Sequence, residues 1–305
     1  MSTFEDKQKA LEKAQTRRQR VFERETRRIY QDVIKSVLGE VSTIYARLEK
    51  DELTYEDMAK FNRLDSLIKQ IEAQSKLLTQ RRRNALLKYL SDAFRYSYEF
   101  MAFSIETAAM SYLNYTSVTT EQILAAVNNP VKGLTLNETL EKNRREIIAT
   151  IRTSVTQSLV RGSSYSSMAK ELKTVFDGDY KKAIRVSRTE VHRVVEQGKS
   201  DAVERATRQG VVMMKKWNSS RDSRVRKTSK ANHRKMDGQT VDANELFELG
   251  RGVKAKTPGQ SGVAAHDINC RCFVTYTVER VDKKGHAELA DMTYEQWRKE
   301  RLKST

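Results

Sequence analysis

Phe22, Tyr30, Val33, Val37, Val41, Ile44 and Leu48 recur at steps of three, four and eight, with polar and charged residues between them. That spacing keeps one face of a 3.6-residue helix apolar and predicts a long amphipathic helix. A second stripe runs through Phe61, Leu64, Ile68, Ile71 and Leu78, behind Thr54 as a candidate cap, and a third through Leu86, Leu90, Phe94, Tyr98, Met101 and Ile105. The first 127 residues contain one glycine, Gly39, so turns are expected only between long helices. Three such helices joined by short links pair as hairpins or a bundle. Packing is the ordinary use of these stripes, and docking to a partner is the other.

The clearest break in the first half is Asn128 to Gly133, "NNPVKG", with one of the two prolines, Pro130. Thr135 to Glu138 then has capping-box spacing and predicts a helix through Ile147, Ile151, Val155 and Leu159, stopped at Gly162 by a left-handed cap. Two further helices are expected at about 164–176 and 180–209, separated by Asp177-Gly178-Asp179. From Val211 the period changes. "VVMMKKW" reads as a strand, "NSSRDS" as a turn, and "NCRCFVTYTV" alternates over Cys270, Cys272, Val274, Tyr276 and Val278. A last helix is expected from Thr293, with Gln296 in capping-box register. The fold class is therefore α+β, a long α-helical N-terminal region followed by a small mixed α+β domain. The expected division is 1–130 helical, 131–280 α+β and 281–305 a helical tail.

Composition sharpens this picture. The 305 residues carry 57 Lys plus Arg against 40 Asp plus Glu, a net charge of +17, and an anionic partner is the default expectation. No apolar stretch of signal-peptide or membrane-spanning length is present, so a protein made in a cytoplasm, with reduced cysteines and no membrane partner, is expected. Residues 181–235 hold 17 Lys or Arg against 5 Asp or Glu, most of the excess. Within them "SSRDSRVRKTSKANHRK" is rich in Ser, Thr and Asn, a composition suited to backbone phosphates. Arg221, Arg224, Arg226, Lys227, Lys230, Arg234 and Lys235 are the candidate contacts to double-stranded DNA of any sequence. An acidic protein partner and a plain solvated surface are the competing readings.

His266 to Cys272, "HDINCRC", holds both cysteines. A disulfide between them is sterically awkward, because residues two apart on an extended strand point the same way with their Cα atoms near the bridging limit. With His233, the set His233, His266, Cys270 and Cys272 has the donor chemistry of structural zinc, but CxC is tighter than the usual CxxC knuckle. The competing reading makes both cysteines small buried residues on the inward face of a strand that His266 opens. His233, Asp237, His266, Asp267 and Asn269 also include the residue types of a metal-dependent nuclease, although Asp, His and Asn are common turn residues. No phosphate-binding glycine loop or zinc-protease helix occurs, and no cofactor is expected beyond the zinc this donor set allows.

The order of residues over 155–278 resembles the phage Mu protein F-like domain of tailed bacteriophages, the head morphogenesis or minor capsid family. The matching features are Gly162, Arg188-Thr189-Glu190, Trp217 followed by Asp222, Arg224 and Arg226, then His233 ahead of Asp237-Gly238-Gln239, and the closing His266, Asn269, Cys270, Arg271 and Cys272. One departure is visible, since family members often carry prolines just before the His-x-x-Asn-Cys-Arg-Cys segment, where this chain has "GVAA". The resemblance implies a low-copy, non-enzymatic head protein that associates with the portal protein and is packaged inside the procapsid. It would be assembled in the host cytoplasm and located in the virion interior, with roles in head assembly, DNA packaging or ejection. Scaffold or major capsid protein are further partners it suggests, with the helical region as the docking element. A portal-docking protein without DNA contact, or a nuclease, are the alternatives. For the motif residues it suggests bidentate pairs between Arg188, Glu190, Asp222, Arg224 and Arg226 that tie a helix to the sheet, with Trp217 as a core anchor and Gly238 in a turn.

Overall fold

The computed structural model describes residues 3–129, 135–282 and 285–302. The Pro130 and Gly133 of the expected break, and with them the boundary at 130, lie outside the described residues. Helices α1 (Phe4–Leu48), α2 (Tyr55–Ala59), α3 (Arg63–Ala109), α4 (Thr120–Asn128), α5 (Leu136–Val160) and α6 (Tyr165–Arg208) precede the sheet elements. Strand β1 (Val211–Asn218), a short α7 (His233–Met236), β2 (Thr240–Asp242), β3 (Phe247–Gly250), β4 (Val253–Ala255), a short α8 (Ala264–Asp267), β5 (Phe273–Val281) and α9 (Tyr294–Glu300) follow. The architecture is α+β, as the periodicity predicts.

The compact units do not follow chain order. One comprises residues 20–87 and 137–185, the other 1–19, 88–136 and 186–305, because α1, α3 and α6 each contribute residues to both. The expected regions 1–130, 131–280 and 281–305 thus divide the chain differently from its compact units.

The helical unit is built on the predicted stripes. Tyr30, Val33, Val37 and Val41 of α1 meet Ile68, Ile71 and Leu78 of α3, Ile147, Ile151, Val155 and Leu159 of α5, and Met168, Leu172 and Phe176 of α6 in one apolar cluster. Two expected links are absent. The second and third stripes form the single helix α3, and the pair 164–176 and 180–209 forms the single helix α6. In both continuous helices residues from the supposed link regions turn inward: Arg82 and Asp179 form a buried ion pair at 3.1 Å, with the Tyr30 hydroxyl donating to the same carboxylate. A third correction concerns Phe61, which lies outside the stripe. Thr54 caps α2 with a capping box, and Phe61 then sits at φ 57° in a 3-10 turn, 86% exposed. Gly162 closes α5 at φ 62°: its N–H donates to the Leu159 carbonyl and Ser163 N–H to that of Ser158, the two bonds of a Schellman cap.

The other unit surrounds a three-stranded antiparallel sheet in the order β2-β1-β5, with β3 and β4 as a separate hairpin. Trp217 pairs with Val274 and Lys215 with Tyr276 across β1 and β5. β5 has an edge with no strand beside it among the described residues, and side chains pair with it instead. The Gln8 amide donates to the Tyr276 carbonyl at 2.9 Å and accepts from Tyr276 N–H at 2.8 Å, and Glu196 accepts from Val274 N–H at 3.1 Å. Exposed backbone edges invite foreign strands, and covering them removes that template. Glu196 also meets Lys199 at 2.6 Å, and Lys199 meets Glu12 at 2.8 Å. Burial alone would lower Lys199, but the Glu12 and Glu196 carboxylates outweigh it and hold its pKa above the ordinary lysine value. At the C-terminal end, Thr293 and Gln296 form the expected capping box on α9, and Trp297 is buried with its indole N–H donating to Glu106 at 2.7 Å.

Candidate functional site

The basic segment forms the connection between β1 and α7. Val225 is its buried anchor, and Asp222 shapes it by accepting from Arg224 N–H at 2.9 Å, an Asx turn. The seven candidate phosphate contacts are not equivalent. Lys227, Lys230, Arg234 and Lys235 are exposed and make no ion pair among the described residues, and Lys230 and Lys235 share one cleft with Arg251. Arg221 and Arg224 are also exposed but pair with Asp237 at 2.8 Å and Asp222 at 3.4 Å. Arg226 belongs to the fold. Its guanidinium donates to the His266 carbonyl at 2.8 Å and to that of Ile268, holding the segment ahead of β5.

The ion pairs of the motif residues match those expected only in part: Arg224 meets Asp222, but at 3.4 Å and not as its main partner. Asp222 is held bidentately by Arg271, at 2.5 and 2.6 Å, and that guanidinium is the main reason its carboxyl lies well below the usual range. Glu190 pairs with Arg193 on its own helix at 2.8 Å, and Arg193 also donates to the carbonyls of Ala126 at 2.5 Å and Val127 at 3.0 Å. The helix α6 is tied to the segment before β5 by a smaller contact: Asn269, in the left-handed region at φ 55°, donates its N–H to the Thr189 hydroxyl at 2.9 Å. Trp217 is buried edge-on to Phe247 and His233, with ring centroids at 5.3 and 5.8 Å. Gly238 adopts φ 89° and bonds its N–H to the Trp217 carbonyl at 2.8 Å.

"HDINCRC" is a helical turn and loop rather than the first residues of a strand. His266 and Asp267 end α8, and pairing of β5 begins only at Phe273. Cys270 and Cys272 are buried free thiols ahead of it, and both face Nδ1 of His233, at 3.5 and 3.3 Å. His266 lies on the opposite side of that ring, its Nδ1 3.2 Å from His233 Nε2. Burial and the neighbouring His233 lower its pKa. Among the described residues, His233, Cys270 and Cys272 are the one group whose ligand atoms all lie within 4.8 Å of one another. The carboxylates of the nuclease reading are engaged elsewhere: Asp237 accepts from Ser219 N–H and Arg221, and Asp267 from the Ser261 N–H and hydroxyl.

Sequence reasoning missed His192. Its imidazole interacts with the Cys270 thiol, which in turn is held well below the ordinary thiol value by the Cys272 thiol first, against burial, and by His192 and His233. The residue sits two positions after Glu190, inside the stretch that carries the family resemblance, but 41 residues before His233 and in no motif of its own. Gln8 and Glu196 were missed for the same reason, since nothing local marks a helix residue that pairs with a distant strand.

The family described as Phage Mu protein F like protein matches residues 149–275, the span that runs from α5 to β5. Over 291 residues the chain is 30% identical to the minor head protein GP7 of Bacillus phage SPP1, an alignment covering 91% of this chain and 92% of that protein. The chain belongs to the phage Mu F-like family of minor head proteins, and its role lies in phage head morphogenesis. It is also 27% identical over 259 residues to the NAD(+)–arginine ADP-ribosyltransferase EFV of Enterococcus faecalis, covering 83% of this chain but only 52% of that protein. The chain thus spans about half the length of that second relative. No solved structure matches. No helix among the described residues is long and apolar enough to cross a membrane.

Proposed function

We propose that this minor head protein associates with the portal, enters the procapsid, and there binds double-stranded DNA through its backbone, acting by binding and without a catalytic step. The observation that carries the DNA contact is the cluster of exposed cations on the β1–α7 connection and on α7 itself. Lys227, Lys230, Arg234 and Lys235 make no ion pair among the described residues and accompany Arg221 and Arg224. Such a loop neutralises phosphates and releases their counterions, giving affinity that falls with salt and carries no base preference. Arg226 is left out of this contact, because two of its guanidinium N–H groups already hold the His266 and Ile268 carbonyls. The helical region 1–130 is the candidate surface for the portal, a scaffold or the major capsid protein, and the virion interior is the proposed location.

Fluorescence anisotropy with unrelated duplexes at several salt concentrations tests this reading. Log affinity is expected to fall linearly with log salt, equally for all sequences. Replacing Lys227, Lys230, Arg234 and Lys235 by Gln is expected to flatten the slope by about 0.9 per lost contact, whereas Arg226→Gln destabilises the fold instead. No binding even at low salt, together with co-purification with the portal, would leave a docking role without DNA contact. That alternative has its own support in the Asp222 and Asp237 carboxylates that already neutralise part of the loop.

A further inference from the structure

Three ligand atoms converge ahead of β5: Nδ1 of His233 and the two thiols of Cys270 and Cys272. The distances carry metric information. A tetrahedral zinc site with Zn–S near 2.3 Å and Zn–N near 2.0–2.1 Å has N-to-S edges of about 3.6 Å. The two edges here measure 3.5 and 3.3 Å, so an ion fits this triangle with small movements. The imidazole is also presented correctly. With His233 Nε2–H donating to His266 Nδ1 at 3.2 Å, the lone pair on Nδ1 is left pointing at the thiols. His266 therefore positions the ligand and does not itself belong to the ligand set.

The fourth donor comes from α6. His192 lies near Cys270, though outside the group whose ligand atoms are all within 4.8 Å, so its ring must swing toward the thiols to bind; its Nε2 is buried with no hydrogen-bond partner among the described residues. Gly259 backs that ring at φ 85°, where a Cβ would stand 3.2 Å from His192 Cδ2. We infer that His192, His233, Cys270 and Cys272 bind one zinc ion, with His266 orienting His233. The two thiols lose their protons to solvent on binding, and two thiolates with a dication and two neutral imidazoles form a set with no net charge, the condition under which burial is tolerated. Thiolate and imidazole donors select zinc over magnesium, calcium or manganese. Four protein ligands leave no open position, so the ion is structural. It joins α6, α7 and the segment before β5. This site stands whether or not the basic loop binds DNA.

The test is metal analysis of the full-length protein purified without chelator, followed by cobalt substitution. One zinc per chain is expected, and cobalt is expected to give the intense visible bands of a tetrahedral ion with thiolate ligands. Cys270→Ser with Cys272→Ser is expected to abolish binding. His192→Asn should alter the cobalt bands as water replaces one nitrogen. His266→Gln should leave the bands in place and weaken affinity about 10- to 100-fold. In case these variants fail to fold, thiol titration of the unmutated protein gives an independent readout: both cysteines react with a thiol reagent only after a chelator is added. Purified protein without zinc, no cobalt spectrum and thiols equally reactive with and without chelator would overturn the site. Unchanged cobalt bands in His192→Asn would overturn its place as a ligand.

Discussion

The two compact units solve burial differently. The helical unit buries an almost continuous set of Val, Ile, Leu, Met and aromatic side chains, with small hydroxyls such as Ser75 and Ser158 and the Arg82–Asp179 ion pair among them. The sheet unit buries Lys199 with Glu196, Arg193 with Glu190, the Gln8 amide against β5, and a His and Cys cluster. An apolar stripe is interchangeable with others of its size, and its energy follows area. A buried polar group is worth keeping only with its partner in place, and its loss costs far more than its presence contributes. The helical unit should therefore respond gradually to substitution and the sheet unit abruptly.

The largest expected effect tests that contrast directly. Lys199→Ala leaves Glu196 buried without its cation, and breaking such a pair costs about 3–5 kcal/mol. The double variant Glu196→Gln with Lys199→Met keeps an acceptor for Val274 N–H and removes both charges, so it should recover most of the loss in chemical denaturation. If the single and double variants are equally unstable, the pair matters for its shape and not for its charge.

A smaller effect separates burial from pairing within the sheet unit. Asp201 accepts from Gln197 Nε2 at 2.6 Å, yet burial raises its pKa to about 6, the Gln197 bond opposing only in part. A carboxyl raised above its unfolded value contributes stability that is complete below about pH 4 and is lost as pH rises to about 6. Asp201→Asn keeps an acceptor for Gln197 and never ionises. Its stability should equal that of the parent near pH 4 and exceed it at pH 7 by at most about 3 kcal/mol, since each unit is about 1.4 kcal/mol. A pH-independent difference would place the effect in packing.

The same contrast explains what was legible in the sequence. The stripe Tyr30, Val33, Val37 and Val41 and the run Ile147, Ile151, Val155 and Leu159 are buried as their spacing requires, and burial alternates through Cys272, Val274 and Tyr276. Periodicity reports which face is apolar, and these residues need only that. It cannot report a partner far along the chain. The short link expected between the second and third stripes and the "DGD" break expected at Asp177 each hold one half of the buried Arg82–Asp179 pair, inside helices that run on without a break. Asp222 was marked by its motif, but its tighter, bidentate partner Arg271 stands 49 residues away, and Glu190 pairs within its own helix. The cysteines and His233 were visible as donors. His192 was not, and His266, also a visible donor, faces the wrong side of the His233 ring to serve as a ligand.

Gly178 offers the smallest and most local test of why α6 does not break. It lies within the helix beside Asp179, outside the left-handed region, and a Cβ built on it meets nothing within 4 Å. Glycine in a helix interior costs roughly 0.5–1 kcal/mol relative to alanine, chiefly through the freedom it gives the unfolded chain. If the Arg82–Asp179 pair and the packing of Phe176 and Ala183 already hold the helix through this point, Gly178→Ala should raise stability by about that amount and leave the helical content unchanged. Were the segment instead using its glycine to bend, the same substitution would lower stability. Circular dichroism with thermal melting of the full chain distinguishes the two signs, and a loss would mean that this helix is continuous in spite of Gly178 and under strain there.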